Sequence, residues 1–213
     1  MKKLLFFGDS LTDMSHSDGK NDTSCYQYGI GYVFFIAGEL TLTYPNKYQI
    51  INKGIGGNRL IDLYQRYKRD VLDEKPDVLT ILIGVNEILM NISYPNMCKV
   101  TPIDEFISTY KMMINDIKKN LPNTKIILME PFILDEESIH DIYPRFKYLY
   151  LYQNAVKDIA SKMDVAFISL QDKMNNLTKT HKIHEILFDG IHTNAAGAKL
   201  ISDEWIKVFQ NLE

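Results

Sequence analysis

Ser10, Asp189 and His192 are the residues whose types and spacing bear most directly on chemistry. Ser10 stands in Phe6-Phe7-Gly8-Asp9-Ser10-Leu11-Thr12-Asp13, just after the apolar run Leu4-Leu5-Phe6-Phe7. That run reads as a buried strand. The Gly-Asp-Ser ending it sets a hydroxyl at the strand's carboxyl end, where open α/β sheets hold their ligands. Far downstream, Asp189-Gly190-Ile191-His192 sets a carboxylate and an imidazole three residues apart. A serine hydroxyl is a weak nucleophile until a base takes its proton, and the base must itself be oriented. These residues supply a nucleophile, a base and an orienting acid, as acyl transfer through a serine ester requires.

Two other motifs bear on the same chemistry. Asn52-Lys53-Gly54-Ile55-Gly56-Gly57-Asn58-Arg59 follows a second strand candidate. Its glycines let backbone N–H groups approach a ligand closely, as a phosphate cradle or as an oxyanion donor, or they mark a tight turn. Neither the P-loop signature nor Gly-x-Gly-x-x-Gly is present. Ile83-Gly84-Val85-Asn86-Glu87 ends a third strand. Its asparagine is either a turn former or a side-chain donor to a developing oxyanion. Taken singly, Gly-Asp-Ser also fits a helix-capping turn, and so does Asp189-x-x-His192. His181, His184, Asp189 and His192 match no zinc spacing. Together the four motifs complete one mechanism, and each falls at a strand end or a helix entrance.

The elements that must position them follow from periodicity. Strands are expected at 3–7, 48–51, 78–83, 125–129 and 165–169. Between them, apolar residues recur at helical spacing: Leu60, Leu63, Tyr64, Tyr67 and Val71; Phe106, Tyr110, Met113 and Ile117; Leu149, Tyr152, Val156, Ile159 and Met163. A first helix is expected over 32–40, and Ile201, Trp205, Val208 and Leu212 mark a last one, with Trp205 on its core face. Strand and helix alternating five times predicts a three-layer α/β/α sandwich with a five-stranded parallel sheet. The flavodoxin-like strand order is taken by analogy. Long irregular stretches are expected at 14–28, 131–145 and 171–188, and as strand-end loops they would wall a pocket.

At 213 residues, 46% hydrophobic and 24% charged, the composition is that of an ordinary globular protein, read as a single domain over 1–213. The formal net charge of −3, with no basic stripe, argues against a nucleic-acid partner. No stretch is long enough for a membrane span. The amino terminus lacks the apolar length and small-residue site of a signal peptide, so it is read as the first strand. Cys25 and Cys98 are too few for a disulfide framework and are expected to be reduced thiols in a cytoplasmic protein.

In order, Gly8-Asp9-Ser10-Leu11, Gly57, Gly84-x-Asn86 and Asp189-x-x-His192 resemble the four blocks of the SGNH (GDSL-type) hydrolases, from about residue 3 to residue 208. The resemblance implies that Ser10 is the nucleophile and its N–H an oxyanion donor. It further implies Gly57 as a second backbone donor, Asn86 as a side-chain donor, His192 as the base and Asp189 as its orienting acid. Gly57 lies five residues after Asn52, the family's spacing; Gly54 and Gly56 stay open if the loop is registered differently. The family commonly has Asp where this chain has Glu87, and Pro where it has Thr193. Glu87 and Arg59 flank the expected donors, and His16 lies near the nucleophile.

Further segments look like the intracellular bacterial carbohydrate acetylesterases, acetyl-xylooligosaccharide esterases among them: Gly29-Ile30-Gly31-Tyr32-Val33, Asn52-Lys53-Gly54-Ile55, Asp77-Val78 through Ile83-Gly84-Val85-Asn86, and Ile127-Leu128-Met129-Glu130-Pro131-Phe132. The expected function is a serine esterase cleaving short-chain, acetyl, esters of carbohydrates with no metal or organic cofactor. Its partner would be a small ester, an acetylated sugar, and the resemblance allows a homo-oligomer. The alternatives are an esterase, thioesterase or lysophospholipase for longer acyl chains, and a silent carbohydrate-binding protein. The aromatic-rich segments 26–35 and 143–152 suit sugar stacking, an acyl slot or helix-face packing.

Overall fold

The computed structural model describes residues 1–17 and 23–212. Five strands form one all-parallel sheet: β1 (Lys2–Gly8), β2 (Tyr48–Gly54), β3 (Val78–Leu82), β4 (Lys125–Met129) and β5 (Ala166–Ile168), in the order β2-β1-β3-β4-β5. This is the expected doubly wound order. Register brings the strand ends level: Gly8 faces Gly54 on one side and Leu82 on the other, and Leu82 faces Met129. Everything that follows a strand therefore emerges along one edge.

Leu4, Leu5, Phe6 and Phe7 are fully buried because β1 runs mid-sheet with helices on both faces. Side chains alternate between those faces. Phe6 meets Tyr32 and Trp205, while Phe7 lies 4.4 Å beneath the Arg66 guanidinium. The first face belongs to α1 (Ser10–Asp13), α2 (Tyr32–Thr43) and the last helix; the second to α3 (Leu60–Tyr67) and its neighbours. Trp205 is a core residue as expected, fully buried, stacked on Phe209 at 4.7 Å and donating its indole N–H to Thr80 Oγ1 at 2.8 Å.

α4 (Asn86–Ser93) follows β3, α5 (Ile103–Asn120) precedes β4, and α6 (Leu149–Lys162) precedes β5. The periodic run from Leu60 to Val71 is helical, but its last turn, Lys68–Leu72, is π-helical. Residues 171–188, expected to be irregular, instead contain α7 (Gln171–Leu177) and α8 (Ile183–Ile186). The Glu130 carboxylate explains α7: it accepts the N–H groups of Leu170 at 2.6 Å and Gln171 at 3.0 Å, a cap supplied from 40 residues away. α9 (Ala195–Gln210) closes the chain against α2. The 131–145 stretch is irregular except for short 3₁₀ turns at Glu137–Ile139 and Tyr143–Phe146. The expected loop over 14–28 lies partly outside the described residues, and its end, Cys25–Tyr28, is a 3₁₀ turn.

Candidate active site

Ser10 opens α1 directly beyond β1. Asp9, 1% exposed, caps that turn by accepting the Leu11 N–H at 3.0 Å. On the other side, the loop before α9 closes on itself: Leu187 bridges Thr193, and the Phe188 N–H donates to the His192 carbonyl at 3.0 Å. Gly190 turns this loop at φ +77°, and a side chain there would come within 2.3 Å of Ile139. Asp189 Oδ1 accepts the N–H groups of Ile191 at 3.0 Å and His192 at 2.7 Å, which fixes the imidazole's backbone to its acid.

The side chains then form an unbroken relay. His192 Nε2 lies 2.7 Å from Ser10 Oγ, and His192 Nδ1 lies 2.6 Å from Asp189 Oδ2. The Phe188 ring stacks on the imidazole at 5.5 Å and 17°. Burial works against protonating His192, but the hydrogen bond and charge of Asp189, then the charge of Asp9, outweigh it and raise its pKa above the usual 6.5. Burial alone would raise the Asp189 pKa, yet its bonds to His192 and Ile191 hold it below the usual carboxylate range. An imidazole so oriented can take a hydroxyl proton and return it.

The glycine motif leaves β2 beside the serine. Gly54 N–H is occupied by Asn52 Oδ1 at 2.9 Å, and a Cβ on Gly54 would collide with the Asp13 backbone. Gly56 N–H donates to Asp13 Oδ2 at 3.2 Å, while Asp13 Oδ1 holds His16 Nδ1 at 2.7 Å. Gly57, at φ +77°, keeps an N–H with no hydrogen bond among the described residues, and so does Ser10. Of the three glycines left open by spacing, Gly57 alone has its donor unspent there. Asn86, 2% exposed, donates one Nδ2 hydrogen to Asn58 O at 3.0 Å. The other makes only a long, 3.4 Å approach to Asp9 Oδ2. Burial pushes the Asp9 carboxyl up to about 7.

Two supporting residues frame this loop. Arg66 is buried, and sequence reasoning missed it. Its guanidinium donates to Asn58 Oδ1 at 2.8 Å, Lys53 O at 2.9 Å, Gly8 O at 3.0 Å and Asp70 Oδ2 at 2.8 Å. One side chain thus ties the ends of β1 and β2 to the glycine loop. The available signal was Arg66 and Asp70 at i,i+4 on the face that also carries Leu63 and Tyr67. Glu87, fully buried, accepts the Leu60 N–H at 2.6 Å and the Thr101 hydroxyl. Arg59 sits at the start of α3, where its N–H donates to Asp62 at 2.8 Å.

A cavity of about 320 Å³ opens over Ser10 and His192, bordered by Asp13, Met14, Ile30 and Phe188. A larger hollow, about 760 Å³, lies at the opposite end of β4 and β5 and holds none of these groups. Among the described residues, no group of three or more His, Cys, Asp or Glu is placed to hold a metal ion.

Comparisons with known proteins give the family. An acetylxylan esterase of Geobacillus stearothermophilus is 31% identical over 208 residues, 97% of this chain and 93% of that protein. An isoamyl acetate-hydrolyzing esterase of Saccharomyces cerevisiae is 23% identical over 227 residues, 98% of this chain and 86% of that protein. Among solved structures, a variant of an acetyl xylan esterase from Geobacillus stearothermophilus superposes with a TM-score of 0.84 at 31% identity, covering 97% of this chain and 93% of that one. A protein of Parabacteroides merdae described as a GDSL-like lipase gives 0.87 at 27% identity, covering 97% and 94%. The model of the GDSL-like lipase/acylhydrolase family matches residues 6–200, from the strand that delivers Ser10 to the helix that follows His192. With that span matched, the chain belongs to the GDSL-like lipase/acylhydrolase family and is a carboxylic ester hydrolase.

Proposed function

We propose that this protein is a serine esterase that removes short acyl groups, acetyl foremost, from carbohydrates through an acyl-serine intermediate. The observation that carries the reading is the relay Ser10–His192–Asp189, with links of 2.7 and 2.6 Å, beside the unspent Ser10 and Gly57 N–H groups. Ser10 Oγ attacks the ester carbonyl as its proton passes to His192 Nε2. Asp189 keeps the other ring nitrogen protonated and offsets the imidazolium charge. The oxyanion accepts from Ser10 N–H, Gly57 N–H and the weakly engaged hydrogen of Asn86 Nδ2. His192 then gives its proton to the departing alcohol oxygen. Water enters, loses a proton to His192 and cleaves the acyl-serine by the same sequence in reverse.

The acetyl-carbohydrate preference is supported by the likeness to an acetylxylan esterase. A cytoplasmic setting belongs to the same proposal, supported by Cys25 and Cys98 standing as free thiols. No described helix is long and apolar enough to cross a membrane. The test is hydrolysis of p-nitrophenyl acetate, butyrate and octanoate, with peracetylated xylose alongside and Ser10→Ala as control. Acetate-selective activity lost in the variant supports the reading. Preference for octanoate would replace it with a long-chain acylhydrolase, and activity surviving in Ser10→Ala would end the serine mechanism.

A further inference from the structure

A second cavity of about 320 Å³ adjoins the catalytic one, with Ile30 on the wall of both. Tyr26, Phe34 and Phe35 line it, together with Thr193, the residue after the catalytic base. We propose that this cavity receives a ring with an apolar face carried on the alcohol half of the substrate, either a neighbouring sugar or an aryl aglycone. The inference rests on the acyl-serine reading above and specifies the substrate of that same site.

Two observations carry it. The first is position. The departing oxygen must lie at His192 Nε2 to be protonated, whereas the carbonyl oxygen is drawn to the Gly57 and Asn86 side. A pocket walled by Thr193 is therefore on the alcohol side. The second is exposure: Ile30 is 69% exposed, Tyr26 66% and Phe34 42%, although neighbouring Tyr32 and Val33 are fully buried. Large apolar side chains gathered at one rim beside a catalytic serine are a recognition surface, since a fold gains nothing from leaving them in water. Aromatic faces suit the C–H face of a pyranose or a flat aryl ring.

The experiment holds the acyl group constant as acetyl and varies the alcohol: ethyl acetate, 2-phenylethyl acetate, mono-acetylated methyl xyloside and mono-acetylated xylobiose. Wild type is expected to favour ring-bearing alcohols over ethyl acetate in kcat/KM by roughly tenfold. Phe34→Ala and Tyr26→Ala should each shrink that ratio several-fold, mainly through KM. A gain from the xyloside to xylobiose identifies the neighbouring sugar; a gain confined to 2-phenylethyl acetate identifies the aryl group. Ratios untouched by both variants, or a changed preference along the acyl series instead, would overturn the proposal. Titration of Ser10→Ala protein with xylobiose and with 2-phenylethanol separates the two readings. Binding lost on adding Phe34→Ala upholds the pocket even where the chemistry fails, and no binding of either probe counts against it.

Discussion

Replacing Arg66 by lysine tests whether the glycine loop is held from beneath. The guanidinium spends its planar fork on Asn58, Lys53, Gly8 and Asp70 at 2.8–3.0 Å while resting on the Phe7 ring. An ammonium is a single point: it can follow Asp70 but cannot span three strand and loop ends at once. Losing two charge-assisted bonds at about 1.5 kcal/mol each predicts a destabilisation of about 3 kcal/mol. With a urea m-value of roughly 3 kcal/mol/M for a chain of this size, the unfolding midpoint should fall by about 1 M. Asp70 keeps Arg69 at 2.6 Å, so the variant is not left with a lone buried carboxylate and should still fold. Because Asn58 also holds Asn86, kcat of the folded variant should drop roughly tenfold with KM little changed. Combined with Asn86→Ala, the two losses should be less than additive, since both act through one donor. An unchanged midpoint would refute the energetic argument, and fully additive losses would refute the route through Asn58.

Asn86→Ala should lower kcat by roughly a hundredfold or more through loss of one oxyanion donor, with the circular-dichroism spectrum retained; an unaltered kcat in folded protein removes Asn86 from the mechanism. The proposed mechanism needs neutral His192, whose pKa is raised, so kcat/KM should decline as pH falls through a value above 6.5. Asp189→Asn removes the principal raising influence and should carry that limb to lower pH while costing kcat on the order of 10⁴; a pH–rate profile with an unmoved limb contradicts the assignment. Trp205→Phe deletes the bond to Thr80 inside the core. Thermal unfolding should register a loss of about 1–3 kcal/mol, whereas kcat/KM should stay within about twofold, and a larger catalytic loss would show that α9 positions His192 through Trp205.

How much of this was legible in the sequence depends on the range of the interactions involved. β1 declares itself because four consecutive apolar residues suit a strand covered on both faces, and the reactive residues follow strand ends within short motifs. α7 does not, since seven residues, Gln171–Leu177, give little periodicity and their cap is Glu130, distant in sequence. α4 was hidden for a related reason: Gly84-Val85-Asn86 has the composition of a turn, and the helix beginning at Asn86 is only eight residues long. Arg66 reads as a surface cation on an amphipathic helix until the sheet places Gly8 and Lys53 beneath it. Spacing also left the choice among Gly54, Gly56 and Gly57 open. Hydrogen bonds donated to Asn52 and Asp13, both outside the glycine run, are what distinguish them.

Glu87, where the related motif commonly carries aspartate, illustrates how such remote contacts shape the site. Its two carboxylate oxygens reach different partners, the Leu60 N–H that opens α3 and the Thr101 hydroxyl before α5. Burial raises its pKa, a rise that those two donors only partly offset. A carboxylate one methylene shorter would have to draw α4 toward α3 to keep both contacts. The loop from Ile55 to Arg59 is thus anchored at its far end by Glu87, at its near end by Asn52 and Asp13, and from below by Arg66 through Asn58. None of those anchors uses the Gly57 N–H. A loop can aim a backbone donor at a transient oxyanion only if other groups hold it in place, because a donor already spent on the fold must break that bond before it can stabilise anything else.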